Sequence, residues 1–461
     1  VLTLNGFMRD GNVSLSTWGS IDLRQLFLLI QSPLFPDQIR SQVEGIQELN
    51  GVAGVRLKWL GKTEKWISAL KEGEIRLKGV NLRHRGIPVP LSHIQGSFFI
   101  TPEQIRFDEL KGEVGDSPVT VSGTLFQGSS SFAFFSQKVE RGSALAESGR
   151  RLSFQIFSPQ LDLDPLFPKK EGTSPTSFEK IRDWLSSWSM DGKVQIDKGR
   201  YRSLQYKDLK GEMKTVGGTL LIHPFQFKSD DGDFWGEGWI KPTEKGIRIE
   251  IKPRFSNMEA KAFIRTLFQK EEEERVMITG RVHVDKVELR GEGEDFQKMK
   301  ESLKGSLRLE VENGVIERFN ILSKIFSILN VSQWFKGRLP DLKTKGLPYQ
   351  QISADIYVKD GVASTDDFLV DSDAMRITLI GKVDLGKNII DARVGVHPLV
   401  TIDTILSNVP IAGYILTGED KGFISYFYQV KGNLDDPKIE AIPFKIVEES
   451  TWGIIKRLLG T

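Results

Sequence analysis

The chain has 461 residues, 63 Lys and Arg against 61 Asp and Glu, and no cysteine, so disulfide scaffolds, zinc ribbons and thiol enzymes drop out. A net charge of +2 lacks the basic excess of a general nucleic-acid binder, and no sustained apolar run reaches the roughly 18 residues of a membrane-spanning helix. Forty-four glycines and 28 phenylalanines point to extended chain broken by many turns.

In chain order, Leu2, Leu4, Val13 and Leu15 alternate with polar neighbours from the outset, a strand pattern. With Val1 in place of a Met, the chain reads as a piece of a larger protein whose anchor lies upstream. Ile21 to Gly51 reads as two short amphipathic helices split near Pro33 and Pro36, and closes a first region, 1–51, that is the end of an upstream repeat. Residues 52–175 form a β repeat unit whose last part, Ser158 to Pro175, is a linker or crossover. Residues 176–279 open on a helix from Ser177 to Trp188, continue as a second β unit and close on a helix over Ser256 to Glu274. Residues 280–461 carry strands, an apolar lid helix from Phe319 to Phe335, a linker at Thr344 to Tyr349, a helix at Val400 to Val409 and a terminal amphipathic helix from Ile446 to Leu459.

A weak internal repeat runs through the strands. Gly96 is followed by Gly123, Gly211 by Gly238 and Ala354 by Gly381, each 27 positions on. Phe98, Met213 and Ile356 stand two residues after these anchors, and Leu110, Phe225 and Phe368 stand fourteen after them. Within each unit the period is two, as in Ile75/Leu77, Val194/Ile196, Phe225/Phe227, Val282/Val284, Leu307/Leu309, Ile356/Val358 and Ile377/Leu379, and successive strand residues point to opposite faces. Turn formers such as Lys359-Asp360-Gly361 and Val216-Gly217-Gly218 separate the strands. The expected fold is mainly β with short helices: an elongated, curled antiparallel sheet of repeated strand units, capped by amphipathic helices.

Motifs for chemistry fail on inspection. Gly61-Lys62-Thr63 ends like a phosphate-binding loop, but Arg56 stands where its first glycine belongs. Arg290-Gly291-Glu292-Gly293 lacks the third glycine of a dinucleotide fingerprint and reads as a surface loop. The histidines at 84, 93, 223, 283 and 397 have no ligand spacing. Acidic pairs such as Asp230/Asp231, Asp366/Asp367 and Asp435/Asp436 stand in turn contexts. No catalytic residue, metal site or cofactor is expected.

What stands out is the apolar face itself. Two halves of a closed barrel or sandwich would cover it with each other; an open sheet would leave a trough for acyl chains. Each buried methylene is worth about 0.8 kcal/mol, so a long acyl tail resists crossing water by on the order of 10 kcal/mol, a barrier that a continuous trough removes. About 20 strands at ~4.8 Å spacing would give a trough on the order of 100 Å long. Alternation is the same for groove, barrel and sandwich, so both readings stand at this point. The expected acyl contacts are Ile75, Leu77, Phe98, Val194, Ile196, Phe225, Phe227, Val282, Val284, Leu307, Leu309, Ile356, Val358, Ile377 and Leu379. Asp at Ile75, Ile196 or Ile377 is expected to stop lipid passage without unfolding the chain.

The segment Gly305-Ser-Leu-Arg-Leu-Glu-Val-Glu-Asn-Gly314 followed by Phe319-Asn320-Ile321-Leu322, then Asp360-Gly361, Gly381-Lys-Val-Asp-Leu385 and Val430-Lys-Gly432-Asn-Leu-Asp-Asp436-Pro437, resembles the AsmA-like envelope proteins of diderm bacteria, the AsmA/YhdP/TamB type. The resemblance is clearest from about Gly280 to Pro443. It implies a periplasmic, inner-membrane-anchored protein with a hydrophobic β groove that moves phospholipid towards the outer membrane. Its implied partners are phospholipids, the two membranes or their proteins, and further envelope proteins at the C-terminal helix, with no nucleic acid. A structural or assembly factor for outer-membrane proteins is the alternative.

Overall fold

The computed structural model describes the chain apart from residues 1, 11, 34–39, 41–42, 63–69, 127–149, 168–176, 230–231, 268–275, 320–324, 326–345, 400–413, 417–422 and 443–461. Strand takes up 74% and helix 11%, so the chain is mainly β, as its period-two pattern requires. Contacts divide it into two units, one of Val1–Ser174, Glu179–Phe227 and Trp239–Pro242, the other of Pro175–Phe178, Lys228–Gly238 and Thr243–Thr461.

The first unit holds β1 (Leu2–Arg9), β2 (Asn12–Asp22), α1 (Leu23–Gln31), β3 (Ile46–Lys62), β4 (Leu70–His84), β5 (Leu91–Ile100), β6 (Gln104–Val114), β7 (Ser117–Phe126), β8 (Arg150–Ser158), β9 (Leu161–Asp162), α2 (Glu179–Ser187), β10 (Trp188–Tyr201) and β11 (Leu204–Val216). Strands β1 to β8 form an antiparallel meander in chain order. The antiparallel expectation fails at one place: β10 runs parallel to β8 and β9, because the chain crosses over through Ser158 to Ser187 before β10 starts. The helix expected at Ser177 to Trp188 is α2. Asp22 caps α1 by accepting the Gln25 backbone N–H at 3.0 Å, and Ser32-Pro33 stops it, since the residue before proline leaves the helical region. The second helix expected before Gly51 is not formed at 46–51, which opens β3; residues 34–39 and 41–42 lie outside the described set.

β12 (Thr219–Ser229) and β13 (Gly232–Thr243) carry residues of both units. The second unit continues with β14 (Gly246–Glu259), α3 (Ala260–Leu267), β15 (Val276–Ile278), β16 (Arg281–Gly293), α4 (Phe296–Ser302), β17 (Lys304–Phe319), β18 (Leu347–Lys359), β19 (Val362–Asp371), β20 (Met375–Asp384), β21 (Ile389–Pro398), β22 (Tyr414–Leu416), β23 (Phe423–Asn433) and β24 (Lys438–Ala441). Its ladder runs β14, β16, β17, β18, β19, β20, β21, β23, β24, antiparallel throughout. Asp360 and Gly361, at φ 49° and 75°, make the two-residue turn between β18 and β19, whose primed geometry needs left-handed backbone. Three expectations shift here. Ser256 to Glu259 belongs to β14 and the helix opens at Ala260, with 268–274 outside the described residues; Leu347 to Tyr349 starts β18; and the glycine-rich segment Arg290 to Gly293 is strand, paired in register with Ile247 to Glu250 of β14. The helices expected at Val400 to Val409 and Ile446 to Leu459 lie outside the described residues, as does the lid helix beyond Phe319, save for Ile325, which is fully buried.

The 27-residue spacing has a structural meaning. It runs from β5 to β7, from β11 to β13 and from β18 to β20. A Cβ on Gly96 would stand 2.7 Å from Leu110 Cδ2, and one on Gly211 would stand 2.8 Å from Phe225 Cδ2. The small anchor therefore seats the large apolar residue fourteen positions later.

Candidate functional site

In the first unit the cross-strand partners stack apolar residues into rows. One row is Leu57, Gly73, Ile100, Ile105, Leu125, Leu152 and Met190. The next is Val55, Ile75, Phe98, Phe107, Gly123, Phe154, Gly192 and Met213. A third contains Ala53, Leu77 and Gly96, and resumes as Leu110, Val121, Ile156, Val194 and Gly211. The second row crosses eight strands from β3 to β11, about 35 Å at ~4.8 Å per gap. No charged side chain interrupts these rows. Glycines alternate with phenylalanines in the second because the rings need the space: a Cβ on Gly192 would stand 2.3 Å from Phe154 Cζ. Phe98 and Phe107 pack with centroids 6.0 Å apart.

The opposite face of the same strands is charged. Arg56 and Arg76 pair with Glu74, Lys58 with Glu72, Arg106 with Asp108 and Lys193 with Glu212. The unit is thus a sheet with one apolar and one ionic side, and the apolar side is half covered: Ile75, Leu77, Phe98, Phe107, Phe154 and Val194 are all intermediate in exposure. Part of it is covered by protein at two places: Leu185 of α2 packs with Met190 and Leu220 against Phe154, Trp188 and Met213. At the ends of β7, β8 and β10 towards Ser158, the turn closes the face: Leu161, Leu163 and Leu166 pack on Val119, Ile196 and Leu209. Ser158 Oγ donates to the Pro118 carbonyl at 2.6 Å and Tyr206 to the Leu161 carbonyl at 2.7 Å. Burial pushes the Tyr206 phenol up to about 12, aided by Asp162, so it stays a neutral donor.

In the second unit one row, Met258, Val282, Val311, Ile352, then Val370, Ile377, Val396 and Tyr426, is buried at every position. Ile377 is 1% exposed. The neighbouring positions Leu307, Leu309, Ile356 and Leu379 are half-buried, while Val284 and Val358 are buried. Burial holds the Tyr426 phenol at about 12 and pushes Tyr428 higher still. On the ionic side Glu250, itself buried, takes Arg290 and Lys252; burial opposes its ionisation, but those two cations hold its carboxyl below the usual range. A shallow depression of ≈ 610 Å³ on this side is lined by Tyr357, Asp366, Ile380, Lys382, Ala392 and Arg393, a mixture of apolar groups and charges of both signs.

All fifteen expected contacts thus fall into two groups. Ile75, Leu77, Phe98, Val194, Phe225, Phe227, Leu307, Leu309, Ile356 and Leu379 are half-buried; Ile196, Val282, Val284, Val358 and Ile377 are buried. Ile196 sits in a packed cluster and Ile377 is 1% exposed, so Asp at either buries an unpaired charge and is expected to destabilise its own unit, against the expectation that a charge there leaves folding intact. The period-two reading missed the places where same-face apolar residues stand three rather than two positions apart: Leu77 and Val80, Phe107 and Leu110, Tyr206 and Leu209, Val284 and Val287. Each step holds one left-handed residue, Gly79, Glu109, Asp208 or Lys286, with φ from 47° to 60°, and such a β-bulge returns the next apolar side chain to the same face.

Among the described residues no group of three His, Asp or Glu could hold a metal ion, and no helix is long and apolar enough to cross a membrane. No curated protein and no solved structure matches the chain. The family model described as "YhdP protein" matches residues 140–439, more than half of the chain, and the one-sided apolar strands agree with it. The chain belongs to the YhdP family, a bacterial envelope family of the AsmA/YhdP/TamB type.

Proposed function

We propose that the chain is the periplasmic, non-enzymatic part of a lipid-transfer protein that carries phospholipid acyl chains along its apolar β face between the inner and outer membranes. The observation that supports this most is the first unit's face: apolar rows in register, one of them across eight strands and most of its side chains only partly buried, on strands whose other side is ionic. A packed core would bury such rows, as in the second unit; a surface would not repeat Val, Ile, Leu and Phe in register. Acyl chains supply the missing cover and gain roughly 0.8 kcal/mol per methylene. Native mass spectrometry of the chain purified from a bacterial envelope tests it: bound phospholipid is expected, and a lipid-free chain that takes up none from vesicles contradicts it.

The alternative, an assembly factor offering strand edges to outer-membrane clients, draws on β1, which among the described residues pairs with β2 alone and exposes Leu4 and Phe7 by 68% and 64%. Client cross-links at β1, with trough substitutions silent, would favour it.

A further inference from the structure

Two pieces of protein cover parts of the first unit's apolar face, and they are held in different ways. The turn from Ser158 to Leu166 is pinned by polar groups as well as by packing: Ser158 donates to the Pro118 carbonyl, the Asp162 N–H to Ser117 Oγ, Tyr206 to the Leu161 carbonyl, and Arg200 pairs with Asp162 and Asp164. In α2 the polar side chains turn back on the helix itself. Arg182 pairs with Glu179 and Asp183, and the Ser186 and Ser187 hydroxyls donate to the Arg182 and Asp183 carbonyls. The buried residue of α2 is Leu185, while Ile181 and Trp184 are 41% and 45% exposed. The helix is tethered at both ends, by buried Phe178 before it and by β10 after it, so it can lift or roll without leaving. Leu185, Met190 and Leu220 form one cluster, with Phe154, Trp188, Met213 and Ile240 packed against it. Met190 ends the row that starts at Leu57, and Phe154, Gly192 and Met213 end the row that starts at Val55. The part of this second row outside the cover, Val55 to Gly123, crosses β3 to β7, about 20 Å at ~4.8 Å per gap.

We infer that Leu185 is a gate in the trough: it fills, against Phe154 and Met213, the place of an acyl chain, so that lipid on β3 to β7 reaches β11 only when α2 lifts Leu185 away. This rests on the lipid-transfer reading above and deepens it. A face that carries acyl chains past β8 cannot stay covered there, so one of the two covers must give. A segment that buries one aliphatic side chain opens at lower free energy than one fixed by several buried residues and hydrogen bonds. The helix is therefore the cover that moves, and the Ser158 to Leu166 turn is the one that stays. An acyl chain entering the cluster replaces the contacts that Leu185 gives up, methylene for methylene, so the open state is stabilised by the cargo itself.

The test mixes the purified chain with vesicles of phosphatidylethanolamine and phosphatidylglycerol and captures lipid from a photoreactive amino acid at Phe98, outside the cover, or at Met213, beneath it. With Leu185 in place, capture from Phe98 is expected and capture from Met213 should be about tenfold lower, the gate being shut most of the time. Leu185→Ala removes the side chain that fills the cluster and should raise capture from Met213 at least about fivefold with Phe98 unchanged. Trp184→Ala, on the exposed side of the same helix, should alter neither. Equal capture from the two positions with Leu185 in place, or a Met213 signal that stays low in Leu185→Ala, overturns the gate and leaves the groove reading standing; no capture from Phe98 removes both. A measurement on the unsubstituted chain decides the matter if Leu185→Ala does not fold. On lipid uptake from the same vesicles, amide hydrogen exchange in Glu179 to Ser187 should speed up at least about threefold while that in Leu161 to Leu166 stays as it was. Exchange in α2 that is unchanged or slower once lipid is bound contradicts the gate.

Discussion

Ile75 in the first unit and Ile377 in the second lie on strands of the same alternating pattern, each with an apolar partner on both sides: Val55 and Phe98 for Ile75, Val370 and Val396 for Ile377. Yet Ile377 is 1% exposed while Ile75 is only partly buried. The rows around them repeat the contrast, buried from Met258 to Tyr426 and half-buried from Val55 to Met213. Strand alternation therefore builds an apolar face but does not decide whether protein covers it. The partly covered face is the one with apolar surface left for a ligand.

Substitutions that put the same chemistry on the two faces would break this comparison most directly. Ile377→Asp buries an unpaired carboxylate and is expected to cost about 4 kcal/mol or more, enough to leave no folded second unit in a thermal melt. Ile75→Asp can turn its carboxylate towards solvent and should cost only about 1–2 kcal/mol while stopping lipid uptake. Similar losses at both sites would show that the first face is covered after all.

Glycine substitutions should separate the faces less strongly. A Cβ on Gly305, at φ 141°, would stand 1.8 Å from the Glu288 carbonyl oxygen, a backbone atom that cannot move alone, so Gly305→Ala should cost about 3 kcal/mol. Gly192→Ala meets first the Phe154 ring, a partly buried side chain that can give where a backbone atom cannot, and should cost less, about 1–2 kcal/mol. Urea titration of each variant reads the difference.

Smaller effects come from polar groups that hold each unit together. Glu250→Gln leaves Arg290 and Lys252 with a neutral partner, and about 2 kcal/mol is expected to go from the second unit. Because the folded carboxyl is held below its ordinary value of 4.5, that contribution is complete above about pH 4.5 and vanishes as pH falls through the lowered folded value. Melts taken down through this range should show the wild-type losing its advantage over Glu250→Gln. Smallest is Tyr206→Phe, which gives up one buried hydrogen bond to Leu161 and should cost about 1 kcal/mol in the first unit alone.

Much of the fold can be read in advance from alternation and spacing. Glu74 to Lys78 predicts its two faces, and the 27-residue repeat marks β5 to β7, β11 to β13 and β18 to β20. The bulges are only partly legible, because Glu109 and Lys286 carry no residue-type signature of left-handed backbone, whereas Gly79 and, more weakly, Asp208 do. The parallel pairing of β8 with β10 is hidden too, since it depends on how the chain from Ser158 to Ser187 returns. The apolar face itself was legible residue by residue, whereas the burial of Ile196 and Ile377 was not. Their cover comes from contacts distant in sequence, as Leu161 and Tyr206 provide for Ile196, and local alternation carries no information about them.

The most direct test of an acyl-filled face in the first unit is photo-crosslinking from single positions in living bacteria. A photoreactive amino acid at Leu77 or Phe98, on the apolar rows, should capture phospholipid, and one at Arg76, next to Leu77 in sequence but on the ionic face, should not. Capture at Arg76 equal to that at Leu77, or no lipid captured at Leu77 and Phe98, would contradict the account.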